Sequence, residues 1–302
     1  MARTHANGIT LEYESFGPEG GMPLLLIHGY GQQCIAWPGE FIDGFVGAGM
    51  RVITYDNRDT GLSEKWDGKI PDMRAVMSAL KSGNNPFIPY TLSDMAGDAA
   101  GLLEALRIGS AHVAGASMGG MIAQLVALEH RKKVRSLTTI FSTTGDYGLP
   151  PSSAEAHLAL VAQAPTSDRE TVIAHVLKSR RAYASSAFPS DEKRLAEIVG
   201  RIYDRSHYPE GTSRHWSAIV AAPPRGERLK SLDLPTLVLH GSADTLLPSA
   251  HGRRIAECVP GATYHEIEGW GHDIPPGVIP LLHDLMIPFI QKAERGRLGH
   301  NP

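Results

Sequence analysis

The stretch Gly115-Ala116-Ser117-Met118-Gly119, followed by Gly120, constrains the fold more than any other feature of the chain. It has the form G-x-S-x-G. An apolar run from Ala111 to Ala114 precedes it, and apolar residues at helical spacing follow (Met121, Ile122, Leu125, Val126, Leu128). A serine framed by glycines between a strand and a helix describes a sharp turn that lifts a hydroxyl clear of a sheet. The glycines have a steric reason, because side chains two residues either side of so tight a turn would collide with neighbouring elements. The helix that follows aims its N-terminus at the hydroxyl, where negative charge would develop in an acyl-transfer reaction. Taken alone, the motif could also be a turn that merely allows close packing, so its partners decide.

A serine is a weak nucleophile and needs a base. Two later segments supply one in the order serine, acid, histidine. His240-Gly241-Ser242-Ala243-Asp244 follows the apolar run Thr236 to Leu239, and Glu268-Gly269-Trp270-Gly271-His272-Asp273 follows the run Ala262 to Ile267. Ser117, Asp244 and His272 each sit at the carboxyl end of a predicted strand, the edge at which open α/β sheets bind ligands. Asp273 is the rival acid; adjacent to the histidine, it reads as a turn or helix cap. A fourth segment, His28-Gly29-Tyr30-Gly31, follows the buried run Leu24 to Ile27. Its backbone can turn tightly and present an amide, so the N–H groups of Tyr30 and Met118 are the expected oxyanion hole, with His28 bracing the loop. Trp37 and Trp270 flank these loops and are candidates for the substrate pocket. No metal constellation is visible.

The periodicity places strands at 11–16, 24–27, 51–55, 111–114, 134–141, 236–240 and 262–267. It places helices at 41–45, 74–80, 94–106 (capped by Ser93), 118–129 and 278–292. Alternation of this kind gives a parallel sheet covered on both faces. It breaks between about 145 and 230, where only helical patterns occur. The expected organisation is therefore a core of 1–144 and 231–302 with a helical cap of 145–230. The cap carries Tyr183, Phe188, Tyr203, Tyr208 and Trp216, aromatics that either line a pocket or pack the cap on the core. The tail from Lys292 to Pro302 reads as frayed.

Composition limits the partners. A net charge of -3 over 302 residues, with 20% charged side chains, leaves no footprint for nucleic acid. The densest basic run, Arg131-Lys132-Lys133, reads as a solvated helix end. The N-terminal ten residues lack the apolar core of a signal peptide, and no run is long enough for an integral membrane segment. Cys34 and Cys258 read as free thiols, and a cytoplasmic location is expected. The oligomeric state is not legible.

Together these residues resemble the α/β-hydrolase superfamily over about Gly8 to Lys292. The stretch Tyr55 to Ser63, with Pro89-Tyr90-Thr91-Leu92 and Gly115 to Gln124, is similar to a bacterial carboxylesterase subgroup that includes aclacinomycin methylesterase and lipase-like proteins. The resemblance implies an α/β-hydrolase fold: a mostly parallel eight-stranded sheet with helices on both faces, and a helical cap inserted after strand six. It also implies cofactor-free hydrolysis of a small-molecule ester through a Ser-His-Asp triad and an acyl-enzyme. Asp56 and Arg58 are expected to pair and hold loops near the site. A dehalogenase or epoxide hydrolase would carry an aspartate at the elbow in place of Ser117. A carbon–carbon bond hydrolase using the same triad is the alternative reaction, and a ligand-binding receptor with a retained triad the alternative of another class.

Overall fold

The computed structural model describes residues 1–68 and 70–298. The first strand, β1 (Ala2–Ala6), forms a hairpin with β2 (Ile9–Phe16). Asn7 and Gly8 make the two-residue turn at φ of 50° and 80°, left-handed conformations that Asn-Gly adopts at little cost. This strand was not expected from the sequence, because its residues alternate too weakly to read as half-buried. There follow β3 (Met22–Ile27), α1 (Gly39–Gly47), β4 (Met50–Tyr55), α2 (Met73–Lys81), α3 (Leu92–Ala105), β5 (Ala111–Ala116), α4 (Met118–Glu129) and β6 (Val134–Ile140). Five helices come next: α5 (Ala154–Val161), α6 (Arg169–Arg181), α7 (Glu192–Arg205), α8 (Pro209–Val220) and the short α9 (Gly226–Leu229). The chain returns through β7 (Thr236–Gly241), α10 (Ala250–Cys258), β8 (Thr263–Ile267) and α11 (Ile279–Leu298).

The sheet has the order β1-β2-β4-β3-β5-β6-β7-β8. β1 and β2 pair antiparallel and the strands from β4 to β8 parallel, so the mostly parallel, eight-stranded sheet expected above is present. Strands buried on both faces need apolar residues at every position, as Leu24, Leu25, Leu26 and Ile27 supply with no exposed surface. Their alternate side chains enter two separate clusters. One holds residues of α3, α4 and α10, the other residues of α1 and α11. These are the two layers that sandwich the sheet. No helix among the described residues is long and apolar enough to cross a membrane. Both cysteines are buried and unpaired.

Two boundaries and one expected ion pair differ from the sequence expectation. The cap of α3 is Thr91, not Ser93: the Thr91 side chain accepts from the Asp94 N–H and Asp94 answers to the Thr91 N–H, a reciprocal capping box. The tail is helical through Leu298 and not frayed from Lys292; positions 299–302 of that expectation lie outside the described residues. Asp56 and Arg58 do not pair with each other. Arg58 reaches back to Asp98 of α3 at 2.6 and 2.7 Å, while Asp56 takes the Cys34 N–H at 2.7 Å and Arg205 of α7 at 2.7 Å.

That second contact is half of a connection between the loop after β4 and the helices before β7. The other half is Asp59, whose carboxylate forms a two-pronged pair with Arg214 of α8 at 2.8 and 3.0 Å, both side chains fully buried. The Tyr90 hydroxyl and the Trp66 N–H complete its shell at 2.5 and 2.8 Å. Burial by itself would raise the Asp59 carboxyl, but Arg214 and the Trp66 and Tyr90 hydrogen bonds hold it below the usual carboxylate range. The pair's contribution is therefore present above the unfolded aspartate pKa of about 3.9 and fades as pH falls below it. Removing one partner strands a buried charge. We expect Asp59→Ala to destabilise the protein by about 3–5 kcal/mol, read as a lower urea midpoint at neutral pH. A loss under about 1 kcal/mol, the range of exposed pairs, would show that water reaches Arg214.

Candidate active site

Ser117 occupies the single residue between β5 and α4, at φ 56° and ψ -120°. A non-glycine side chain at positive φ is strained and persists only where its surroundings hold it. Here the Ser117 N–H is tied to the Ile140 carbonyl at 2.9 Å, and its carbonyl accepts from the Ser142 hydroxyl at 2.8 Å. Gly119 lets the helix come close enough to close the turn. A Cβ there would lie 2.0 Å from the Ile27 carbonyl oxygen and 2.8 Å from that of His28, so any side chain would push α4 off β3.

Asp244 and His272 come from the loops after β7 and β8, the neighbours beyond β6 on the same edge. The His272 Nδ1 lies 2.7 Å from Asp244 Oδ2, and its Nε2 lies 2.9 Å from Ser117 Oγ. A carboxylate only accepts, so Nδ1 carries the proton and the lone pair of Nε2 faces the hydroxyl. The other carboxylate oxygen, Oδ1, accepts the N–H groups of Leu246 and Leu247 at 2.9 and 2.8 Å. Burial pushes the Asp244 carboxyl up, yet His272 and hydrogen bonds from His240 and His272 outweigh it and hold it well below the carboxylate range. The acid thus stays anionic where a histidine titrates. Asp273, the rival acid, takes the Ser185 N–H at 3.1 Å and the Ser185 hydroxyl instead.

His240 was not singled out in the sequence. Its buried Nε2 donates to the Leu247 carbonyl at 2.7 Å and stands 3.5 Å from Asp244 Oδ2. It braces the same loop from behind, a role that only the folded loop brings to light.

The loop after β3 lies over the serine. A Cβ on Gly29 would meet Ser117 Cβ at 3.2 Å and Oγ at 3.8 Å. Met118 opens α4, where an N–H has no carbonyl one turn back to receive it. Neither its N–H nor that of Tyr30 donates in a backbone bond outside the helices and strands of the described residues. His28 accepts the Gly29 N–H at 2.8 Å and its carbonyl accepts from Asn57 at 3.1 Å. Burial drives its pKa down to about 3, which leaves it a neutral brace.

The histidine loop has its own buttress, the segment that joins α6 to α7. The Tyr183 carbonyl receives the His272 N–H at 2.7 Å, the Ser185 hydroxyl receives the Gly271 N–H at 3.0 Å, and Gly269 accepts from the N–H groups of Ser186 and Ala187 at 2.9 and 3.0 Å.

A cavity of about 120 Å³ opens beside Ser117 and His272, walled by Phe141, Leu160, Tyr183 and Leu246. A second, of about 260 Å³, lies beneath α5 to α8 and shares Tyr30, Gln32, Leu160, Arg180 and Tyr183 with the first. Neither tryptophan expected in the pocket lines these spaces. Trp37 stacks on Phe41 with centroids 5.3 Å apart, inside the core. Trp270 is wholly buried, with its Nε1 donating to the Asp273 carbonyl at 2.7 Å. Both rings sit on the sheet side of their loops, where their apolar area is buried. Among the aromatics of the helical segment, Tyr183, Tyr203 and Tyr208 face the larger cavity. Phe188 packs on the core cluster of α1 and α11, and Trp216 packs edge-on against Tyr30.

A family model described as the alpha/beta hydrolase fold matches residues 22–275. A rhodomycin D methylesterase of Streptomyces sp. (strain C5) is 30% identical over 292 residues, covering 89% of this chain and 91% of that protein. Among solved structures, the esterase RhEst1 from Rhodococcus sp. ECU1013 superposes with a TM-score of 0.75 at 23% identity, over 97% of this chain and 100% of that one. The meta-cleavage product hydrolase from Pseudomonas fluorescens IP01 superposes with a TM-score of 0.75 at 20% identity, over 97% and 98%. These two share the fold.

Proposed function

The chain belongs to the alpha/beta hydrolase fold family, and within it we propose a serine hydrolase that cleaves carboxylic esters of small or medium-sized apolar substrates. The observation that carries this reading is the unbroken line from Ser117 Oγ through His272 to Asp244 on the wall of a cavity. Likeness to a methylesterase supports the choice of ester over other acyl compounds.

In the mechanism that follows, Ser117 attacks the ester carbonyl while His272 Nε2 takes its proton. The N–H groups of Tyr30 and Met118 receive the negative oxygen, and the N-terminus of α4 adds its positive end. His272 then protonates the departing alcohol. Water repeats the cycle on the acyl-enzyme, with the same histidine as base. Asp244 orients the imidazole and favours its cationic form. The helices between β6 and β7 act as the cap over this site, and the two buried free thiols fit a reducing, cytoplasmic setting.

The size of the inner cavity makes a prediction. Among p-nitrophenyl esters of rising acyl length, kcat/KM is expected to peak at two to four carbons, roughly what ~120 Å³ admits. It should then fall about tenfold or more by ten carbons. A long-chain optimum would place the acyl group in the larger cavity instead. No turnover of any member would remove the main support for ester hydrolysis.

A further inference from the structure

Arg180, in the last turn of α6, lines both cavities where they meet. The other two arginines of this helix are paired: Arg169 is bound by Asp204 at 2.7 Å, and Arg181 by Glu192 at 2.6 Å. No described carboxylate lies within the 4.0 Å reach of an ion pair with Arg180. A guanidinium has five N–H donors, and the side-chain hydrogen bond seen for this one is a single long contact from Nη2 to Gln32 Oε1, at 3.3 Å. Two acids line the cavities, Asp273 in the inner and Asp59 in the outer. Ser185 engages the first and Arg214 the second. Burial raises the Asp273 carboxyl above its ordinary range, against the Ser185 hydrogen bonds and the Arg180 charge. Arg180 makes its charge felt on the cavity wall, where it disfavours protonation of both His28 and Asp273. The remaining inner wall is mostly apolar (Ala36, Pro38, Phe141, Leu160, Leu246, Ile274).

Arg180 is thus a half-buried cation with no ion-pair partner among the described residues, on the wall of the cavity that also holds the proposed nucleophile. Planar guanidinium donors match a carboxylate in particular. We propose that Arg180 determines specificity by holding a carboxylate carried on the substrate, so that the preferred class is a carboxylate-bearing ester, such as a monoester of a dicarboxylic acid. This rests on the ester reading above and departs from it in one respect, giving an otherwise apolar substrate an anionic group at the cavity junction. Gln32 would set the distance, since it holds the guanidinium at the junction.

The test compares monomethyl with dimethyl esters of succinate, glutarate and adipate, following methanol release. In the wild type, kcat/KM should favour the monomethyl ester of at least one acid by roughly ten- to a hundredfold, the range of a hydrogen bond to a charged group. Arg180→Gln should collapse that ratio at least tenfold, through KM more than kcat, and Arg180→Lys should restore part of it. A preference for the dimethyl esters throughout, or a ratio that Arg180→Gln leaves unmoved, overturns the proposal. Calorimetric titration with glutarate separates this outcome from failure of the ester reading. Binding that weakens at least tenfold in Arg180→Gln supports the carboxylate site even if no ester turns over. Equal binding or none, beside normal turnover of p-nitrophenyl acetate, refutes the site and leaves ester hydrolysis standing.

Discussion

Ser117→Ala should lower kcat for any ester by about 10⁴- to 10⁶-fold, with the protein still folded. Removing the hydroxyl deletes the covalent route but leaves the oxyanion donors and the cavity, which together retain a small rate above water. The fold should survive. The strained turn is held by the Ser117 N–H on the Ile140 carbonyl and by the Ser142 hydroxyl on the Ser117 carbonyl, neither of which involves the Ser117 side chain. Alanine at φ 56° is no more strained than serine there. Adding His272→Ala to the variant should cost little more, because groups that act as a unit fail together. The measurement is single-turnover hydrolysis of p-nitrophenyl acetate, with circular dichroism as the check on folding. Residual activity within a hundredfold of wild type would mean that another group attacks the ester.

Asp244→Asn should lower kcat by about 10⁴-fold, and the reason lies in two backbone amides. Leu246 and Leu247 both donate to Oδ1. An asparagine in this place must keep its carbonyl oxygen toward them, which turns its NH₂ toward His272 Nδ1. That nitrogen then becomes an acceptor, the ring proton moves to Nε2, and the lone pair that should receive the Ser117 proton is gone. The geometry stays and the tautomer is wrong. The variant should therefore bind a product or substrate analogue about as well as wild type. A loss below about tenfold in kcat would show that His272 keeps its orientation without Asp244. Tighter support from His240, 3.5 Å behind the carboxylate, would then be the place to look.

The convergence of the three candidate residues was far more legible in the sequence than the pocket. The expected Ser117, Asp244 and His272 converge because each follows an apolar strand, and parallel strands of one sheet deliver their ends to one edge. Short-range signals of that kind survive in one dimension. Asn7-Gly8 was such a signal as well, but the weak alternation of Ala2–Ala6 hid the strand it closes. Trp37 and Trp270 misled for a different reason. Loop membership is local, whereas the side of the loop that a ring faces depends on where the sheet lies. The assumed Asp56–Arg58 pair failed similarly. Two residues apart, they point to different partners, one 149 positions away in sequence and the other 40. Arg180 carried no sequence signal, since what distinguishes it from Arg169 and Arg181 is that no described carboxylate comes within ion-pair reach of it in space.

The buttress between α6 and α7 has an implication for how such a protein diversifies. Tyr183 walls both cavities, and with Ser185, Ser186 and Ala187 it also holds the backbone of the histidine loop. On the proposed function, selectivity and turnover thus meet at Tyr183 and the short connector that follows it. A lineage drifting toward a new substrate can freely exchange the outward faces of α6 and α7. Changes in this connector are filtered twice, once for what fits and once for whether the base still meets its serine.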